Sequence, residues 1–379
     1  MASTPQQLDL FVQPVVDIYA ELEIMMFDMI VKRLKTNVPV ATDDVLKWQI
    51  DKMQQLHALD RDMIKKLAKA SNVSSRKLYK VLRDAGFEEL KQTDKWAKKL
   101  AKGGFELAEV TEPVTLIDKV VKSFYTQAID VYNLINQTML QQSKLMYQDI
   151  LTQTTASVLS GFKTHEQALA DTMNKFADKG IPALIDKAGK RWSTEAYVRN
   201  VTRTTVNNVF NHIEDERNKE YGIDLMRVTQ HAGARPTCSI IQNTVISMLS
   251  VADTIAKYGN KYKSIYESEL EYGKGNGVFG CNCAHKRIGF VEGINIAPDS
   301  SEKIDDKENK KTYDLRQTQR QLERDVRAAK RRLSAAETLG NDESISKAKK
   351  LINRRQKAVR EFTKEHNLTR QYAREKIFD

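Results

Sequence analysis

At 379 residues the chain is long enough for two to three domains and for a sizeable core without disulfide staples. Its 61 Lys and Arg against 50 Asp and Glu leave a net charge of +11, a field that favours polyanions, acidic protein faces or anionic lipid. No apolar run approaches the roughly 18 residues of a membrane span, no secretory signal opens the sequence, and three cysteines cannot form a disulfide framework. A soluble protein made in a reducing compartment is expected.

Glycine marks the organisation, because nine of the sixteen lie between Gly222 and Gly293. The flanking stretches read as helices, so the expected fold is mainly α, in four regions. These are a helical N-terminal region (1–112), a long-helix region (113–222), a small glycine-rich α+β module (223–300) and a basic helical hairpin tail (301–379).

In chain order, Phe11, Val15, Ile18, Tyr19, Leu22, Met25, Met26, Met29 and Ile30 recur at steps of three and four, one apolar stripe of a helix. Thr42 followed by Asp43 and Asp44 predicts a helix cap, and Trp48, Leu56, Leu59, Met63 and Leu67 a second stripe. Ser74–Ser75 through Gly86 predicts a short third helix with a glycine stop. Pro113 opens a pattern reaching Leu159, an extended or kinked helix pair. Thr164 with Gln167 reads as a capping box, and Gly180-Ile181-Pro182 as the matching stop. A further helix runs from Ser193 or Thr194 to near Gly222. Strand-like runs then follow at Leu225–Val228, Thr244–Met248 and Val278–Val291, with turns over Tyr272–Gly280.

The tail has a heptad-like seam at Leu322, Val326, Ala329, Leu333 and Ala336. It breaks at Gly340-Asn341-Asp342 and resumes at Ile345, Ala348, Ile352, Val359 and Phe362, which predicts an antiparallel helical hairpin. From Glu302 to Asp379 there are 22 Lys and Arg against 14 Asp and Glu. Arg324, Arg327, Lys330, Arg331, Lys350, Arg354 and Arg355 are the candidates for contact with nucleic acid or an acidic partner. A solvated face that needs no partner is the competing reading.

One cluster is capable of holding a metal: Cys281, Cys283 and His285, with His231 upstream and Cys238 as a further candidate. Thiolates and imidazoles suit structural zinc. Alternate residues on a straight strand lie roughly 7 Å apart, however, whereas zinc holds its sulfurs under about 4 Å apart. All three could ligate only if the backbone turned sharply, for which Gly280 offers freedom. Without that turn they are buried thiols beside a hydrogen-bonded histidine, and no cofactor is needed. A Cys281–Cys283 disulfide is strained by its two-residue separation. No catalytic constellation is evident.

The run His231-Ala232-Gly233-Ala234-Arg235-Pro236, followed by Gly280-Cys281-Asn282-Cys283-Ala284-His285, resembles the phage minor capsid protein 2 family. The helix Val201–Asn208, with its Arg203-Thr204, is similar to the corresponding helix of that family and of Mu F-type head morphogenesis proteins. The resemblance extends to Trp48-Gln49, Ala85-Gly86-Phe87, Thr312-Tyr313-Asp314 and Arg316–Arg320. The family pattern Cys-Gly-x-Asn-Cys-Arg-His falls on Phe279–His285, where Phe279 replaces the first cysteine and Ala284 the arginine. Cys238 stands where a histidine is common.

The resemblance implies a minor structural protein of a tailed bacteriophage head, not an enzyme. It would be assembled in the host cytoplasm into the virion head and act near the portal. Its expected partners are the portal or the major capsid protein, with packaged DNA met through phosphate contacts and no membrane involved. The alternative is a zinc-dependent nuclease or transferase acting on nucleic acid.

Overall fold

The computed structural model describes residues 5–39, 44–161 and 163–377. About 70% of the chain is helical, so the fold is mainly α. Helix α1 (Pro5–Leu34) buries Val15, Tyr19, Leu22, Met26 and Ile30 of the first stripe. The second stripe is divided at Gln55 between α2 (Val45–Gln54) and α3 (Leu56–Lys102). The cap expected at Thr42 and Asp43 lies outside the described residues, and Asp44 precedes α2 without a side-chain cap bond.

The short helix expected to stop at Gly86 is instead the middle of α3, which runs unbroken through Ser74, Ser75 and Gly86. Ser74 turns its hydroxyl back onto the Ser71 carbonyl at 3.0 Å and starts no new helix. At Gly86 a β-carbon would come within 2.8 Å of Ile213 Cδ1 and 3.3 Å of Ile117 Cγ2. The glycine therefore serves close packing and not termination.

Helix α4 (Pro113–Leu159) is one continuous helix of 47 residues, with Pro113 at the first position, where a missing N–H costs nothing. Helix α5 (His165–Lys179) starts from the Thr164–Gln167 capping box and ends at Gly180, whose φ is +63°. A small antiparallel hairpin follows, β1 (Pro182–Ile185) and β2 (Arg191–Ser193), which the hydropathy pattern does not reveal. Asp186 forms its turn by accepting from the Ala188 and Lys190 N–H groups and from Trp192 Nε1.

Beyond α6 (Thr194–Glu220) the glycine-rich module holds β3 (Leu225–Val228), the short α7 (Pro236–Ser239) and β4 (Val245–Ser247). It continues with α8 (Val251–Tyr258), β5 (Lys263–Ser264) and β6 (Arg287–Phe290). The strands form a four-stranded sheet in the order β5-β4-β3-β6. Strand β3 is antiparallel to both neighbours, with Leu225 opposite Ser247 and Phe290, and β4 is parallel to β5. Of the stretch expected as strand over Val278–Val291, only β6 forms one. Phe279 and Asn282, at φ +56° and +58°, spend the rest on tight turns.

The tail folds as α9 (Asp306–Leu339) and α10 (Asp342–Glu365), joined at Gly340 (φ +79°) and capped by Asn341, which accepts from Ser344 N–H. The chain divides into two compact units. One takes residues up to Val15, Ser75–Val131 and Arg199–Arg316, and the other Val16–Ser74, Tyr132–Val198 and Gln317 onward. The whole glycine-rich module lies in the first unit, while each of the other three sequence regions contributes to both.

Strand β6 is a sheet edge, and unpaired edges invite pairing with other chains. Here helix α6 covers it with polar side chains one turn apart. Asn207 and Asn211 donate to the His285 carbonyl at 3.3 and 3.1 Å. The Asn211 oxygen accepts from Arg287 N–H at 3.0 Å, and Glu214 from Gly289 N–H at 3.1 Å. Buried ion pairs reinforce the seam: Lys286 Nζ lies 2.8 Å from Glu89, and Arg287 pairs with Asp215. This stitching fixes the chain that carries His285.

Candidate functional site

The apolar core of the module contains Met226, Val228, Ile241, Ile246, Ile265, Val278 and Phe279, and both Cys238 and Cys283 sit among them. Cys238 arrives on α7, whose start is set by Pro236 after the Arg235 N-cap. Cys283 arrives from a succession of tight turns. Gly280 N–H bonds the Gly277 carbonyl, Cys281 N–H that of Gly275, and Cys283 N–H that of Gly280. A β-carbon on Gly280 would meet the Gly275 carbonyl oxygen at 2.4 Å, so this path requires glycine there. The left-handed backbone at Asn282 is held by its N–H on Thr204 Oγ1 at 2.8 Å.

The result separates the two neighbouring cysteines. Cys281 is exposed, while Cys283 turns inward to face Cys238 with their sulfurs 3.8 Å apart. His285 Nδ1 lies 3.3 Å from Cys283 Sγ. The candidate ligand atoms of Cys238, Cys283 and His285 all lie within 4.8 Å of one another, and the residues are 1%, 3% and 1% exposed. Of the residues singled out in sequence, His231 stacks on the His285 ring at 4.4 Å, and it is not one of the three converging residues.

Gln242, which sequence reasoning did not single out, sets the histidine tautomer. Its side-chain oxygen accepts from His231 N–H at 3.0 Å and faces His285 Nε2 at 3.2 Å. Since that oxygen can only accept, Nε2 carries the proton and Nδ1 presents its lone pair to Cys283. Arg235 reaches Cys238 Sγ at 3.7 Å, with its guanidinium held by the carbonyls of Gly275 and Gly277.

Hydrogen bonding with Cys283, assisted by His285, draws the Cys238 thiol well below its ordinary range. The same contact and burial push Cys283 up. Burial lowers His231 to about 3. Sulfurs so enclosed suit ligation or packing rather than attack on an external substrate.

The cationic candidates of the tail fall into separate groups. Arg327 is buried on Glu195 at 2.8 Å, and Arg331 gives its guanidinium to the carbonyls of Ala177 and Asp178 at 2.8 and 3.2 Å. Arg355 pairs with Asp325 at 3.1 Å, Arg324 bonds Gln321, and half-buried Lys330 makes contacts within the fold. Lys350 and Arg354, one turn apart on α10, are exposed and line a cleft of about 1030 Å³. Lys163, Lys175, Arg332 and Lys347 line it too, against the single carboxylate of Asp171. Lys163 and Lys175 come from in and beside α5, outside the basic tail, whereas Arg332 and Lys347 belong to the tail helices themselves.

A sequence profile of the family described as phage minor capsid protein 2 matches residues 3–364. The chain is similar to a structural protein of Lactococcus phage LL-H, 31% identical over 373 residues that span 95% of this chain and 97% of that one. It is also similar to a structural protein of Lactococcus phage mv4, 38% identical over 122 residues, 32% of this chain and 96% of the relative. No solved structure matches.

Proposed function

The chain belongs to the phage minor capsid protein 2 family, a family of bacteriophage structural proteins, and on that premise we propose that it works in head assembly beside the portal and touches packaged DNA. The match over nearly the whole chain carries the reading. The role is non-catalytic, with the portal or the major capsid protein as protein partner. Among the described residues no helix is long and apolar enough to cross a membrane.

The DNA contact is supported by the cleft at α10, where Lys350 and Arg354 are exposed beside Lys175, while Lys163, Arg332 and Lys347 on its wall are paired with Asp171, Asp178 and Glu343. Such a surface neutralises phosphates without reading bases, so affinity falls steeply with salt and is indifferent to sequence.

Quantitative mass spectrometry of purified particles tests the role, comparing DNA-filled heads with empty precursors. A few to a few tens of copies in both is the expected result. Absence from mature heads, together with no association with portal protein on co-expression, overturns it.

A further inference from the structure

We propose that Cys238, Cys283 and His285 bind one zinc ion, a site independent of any role in the head. A tetrahedral zinc with Zn–S bonds of about 2.3 Å places its two sulfurs about 3.8 Å apart. That is the separation of Cys238 Sγ and Cys283 Sγ, 3.8 Å. With a Zn–N bond of about 2.0–2.1 Å, the sulfur-to-nitrogen edge is about 3.6 Å, and Cys283 Sγ lies 3.3 Å from His285 Nδ1.

The surroundings of the three atoms point the same way. Each ligand is supported by a second group outside the triangle. Arg235 donates to Cys238 Sγ, the His285 N–H donates to Cys283 Sγ at 3.4 Å, and Gln242 accepts from His285 Nε2–H. The donors aimed at both sulfurs would support them as thiolates once a metal displaced the remaining thiol proton, and the Gln242 contact leaves the Nδ1 lone pair turned inward. Two thiolates in one small buried space require a cation beside them, which a bound zinc would supply. Soft sulfur with imidazole selects zinc over calcium or magnesium, which want oxygen. Binding releases the protons of both thiols to solvent and changes no oxidation state. The three protein ligands leave the fourth position to a water or another small ligand.

The test uses the full chain, produced with zinc under reducing conditions and purified without chelator or metal-affinity resin. Elemental analysis should find one zinc per chain, and X-ray absorption at the zinc edge two sulfurs in its first shell. Cys281→Ser should keep both values. Cys238→Ser and His285→Ala should each lose the metal, and Gln242→Ala should weaken zinc binding by roughly 10–100-fold. A reduced, folded wild-type chain without zinc overturns the site, as does a first shell with fewer than two sulfurs or zinc lost on Cys281→Ser. Because the wild-type sulfur count decides on its own, variants that fail to fold do not shelter the proposal.

Discussion

His165 opens α5 with both ring nitrogens buried and without a hydrogen-bond partner among the described residues, its ring edge-on to Trp48 at 4.3 Å. Burial lowers its pKa from 6.5 to about 4. Between those values the unfolded chain takes up a proton that the folded chain refuses, so stability falls as pH drops through this window. At about 1.4 kcal/mol per pH unit the loss approaches ~3 kcal/mol. His165→Phe keeps the aromatic contact and should flatten the Tm profile between pH 4 and 6.5. Glu214 has the opposite sign. Burial, with the Glu89 charge beside it, raises its pKa to about 7, so its contribution is present below pH 4.5 and is lost as pH rises through 7. Glu214→Gln should remove that decline, and a Tm series from pH 4 to 8 on both variants checks the pair. An unchanged slope in either would refute the assignment for that residue.

At the scale of elements, the covering of β6 by α6 depends most on Asn211, which serves the His285 carbonyl and the Arg287 N–H at once. Asn211→Ala takes the acceptor from the buried Arg287 N–H and leaves the His285 carbonyl to Asn207 alone, and should cost on the order of 1–3 kcal/mol, read as a fall in denaturant midpoint. On the tail, Arg327→Ala removes a buried ion-pair partner of Glu195 and should cost about 3–5 kcal/mol. Arg354→Ala, at an exposed position, should stay within roughly 0.5 kcal/mol of the parent.

What the sequence could reveal follows from the range of the signal. The Thr164–Gln167 box, Pro113 and the break at Gly340-Asn341-Asp342 act through neighbours a few residues away, and each reads correctly by eye. Gly86 misleads because its reason is Ile213, 127 positions further on. Residues such as Gln242 and Asn211 carry no local pattern at all, since a polar side chain on a helix or loop looks solvated until the facing backbone is known. The Cys/His cluster was half legible. Residue type marked it, but spacing could not say that Asn282 would turn Cys283 inward and leave Cys281 outside.

For the whole molecule, net charge overstates what is available to a polyanion, because cations such as Arg217, Arg287, Arg327 and Lys286 are buried in ion pairs. Nonspecific duplex binding should therefore follow the α10 cleft more than total charge. Lys350→Gln with Arg354→Gln should reduce the slope of log K against log salt by about 2, while Arg324→Gln leaves it nearly unchanged. Titrations of a fluorescent duplex at several salt concentrations decide this, and equal slopes in all variants would remove the cleft from consideration.

The interleaving of the two units bears on how the chain is made. Asp9 meets Arg203 at 3.0 Å across 194 positions, and Lys35 meets the Thr338 carbonyl across 303. At a synthesis rate of about 5–20 residues per second, Asp9 waits roughly 10–40 s for its partner to leave the ribosome. During that interval the apolar stripes of α1 and α3 have no finished core to enter, so the nascent chain should expose apolar surface until the later stretches are made. Separated at residue 198, each half lacks stretches that both units need. Fragments 1–198 and 199–379 should each be digested readily when made alone, and become protease-resistant when made together.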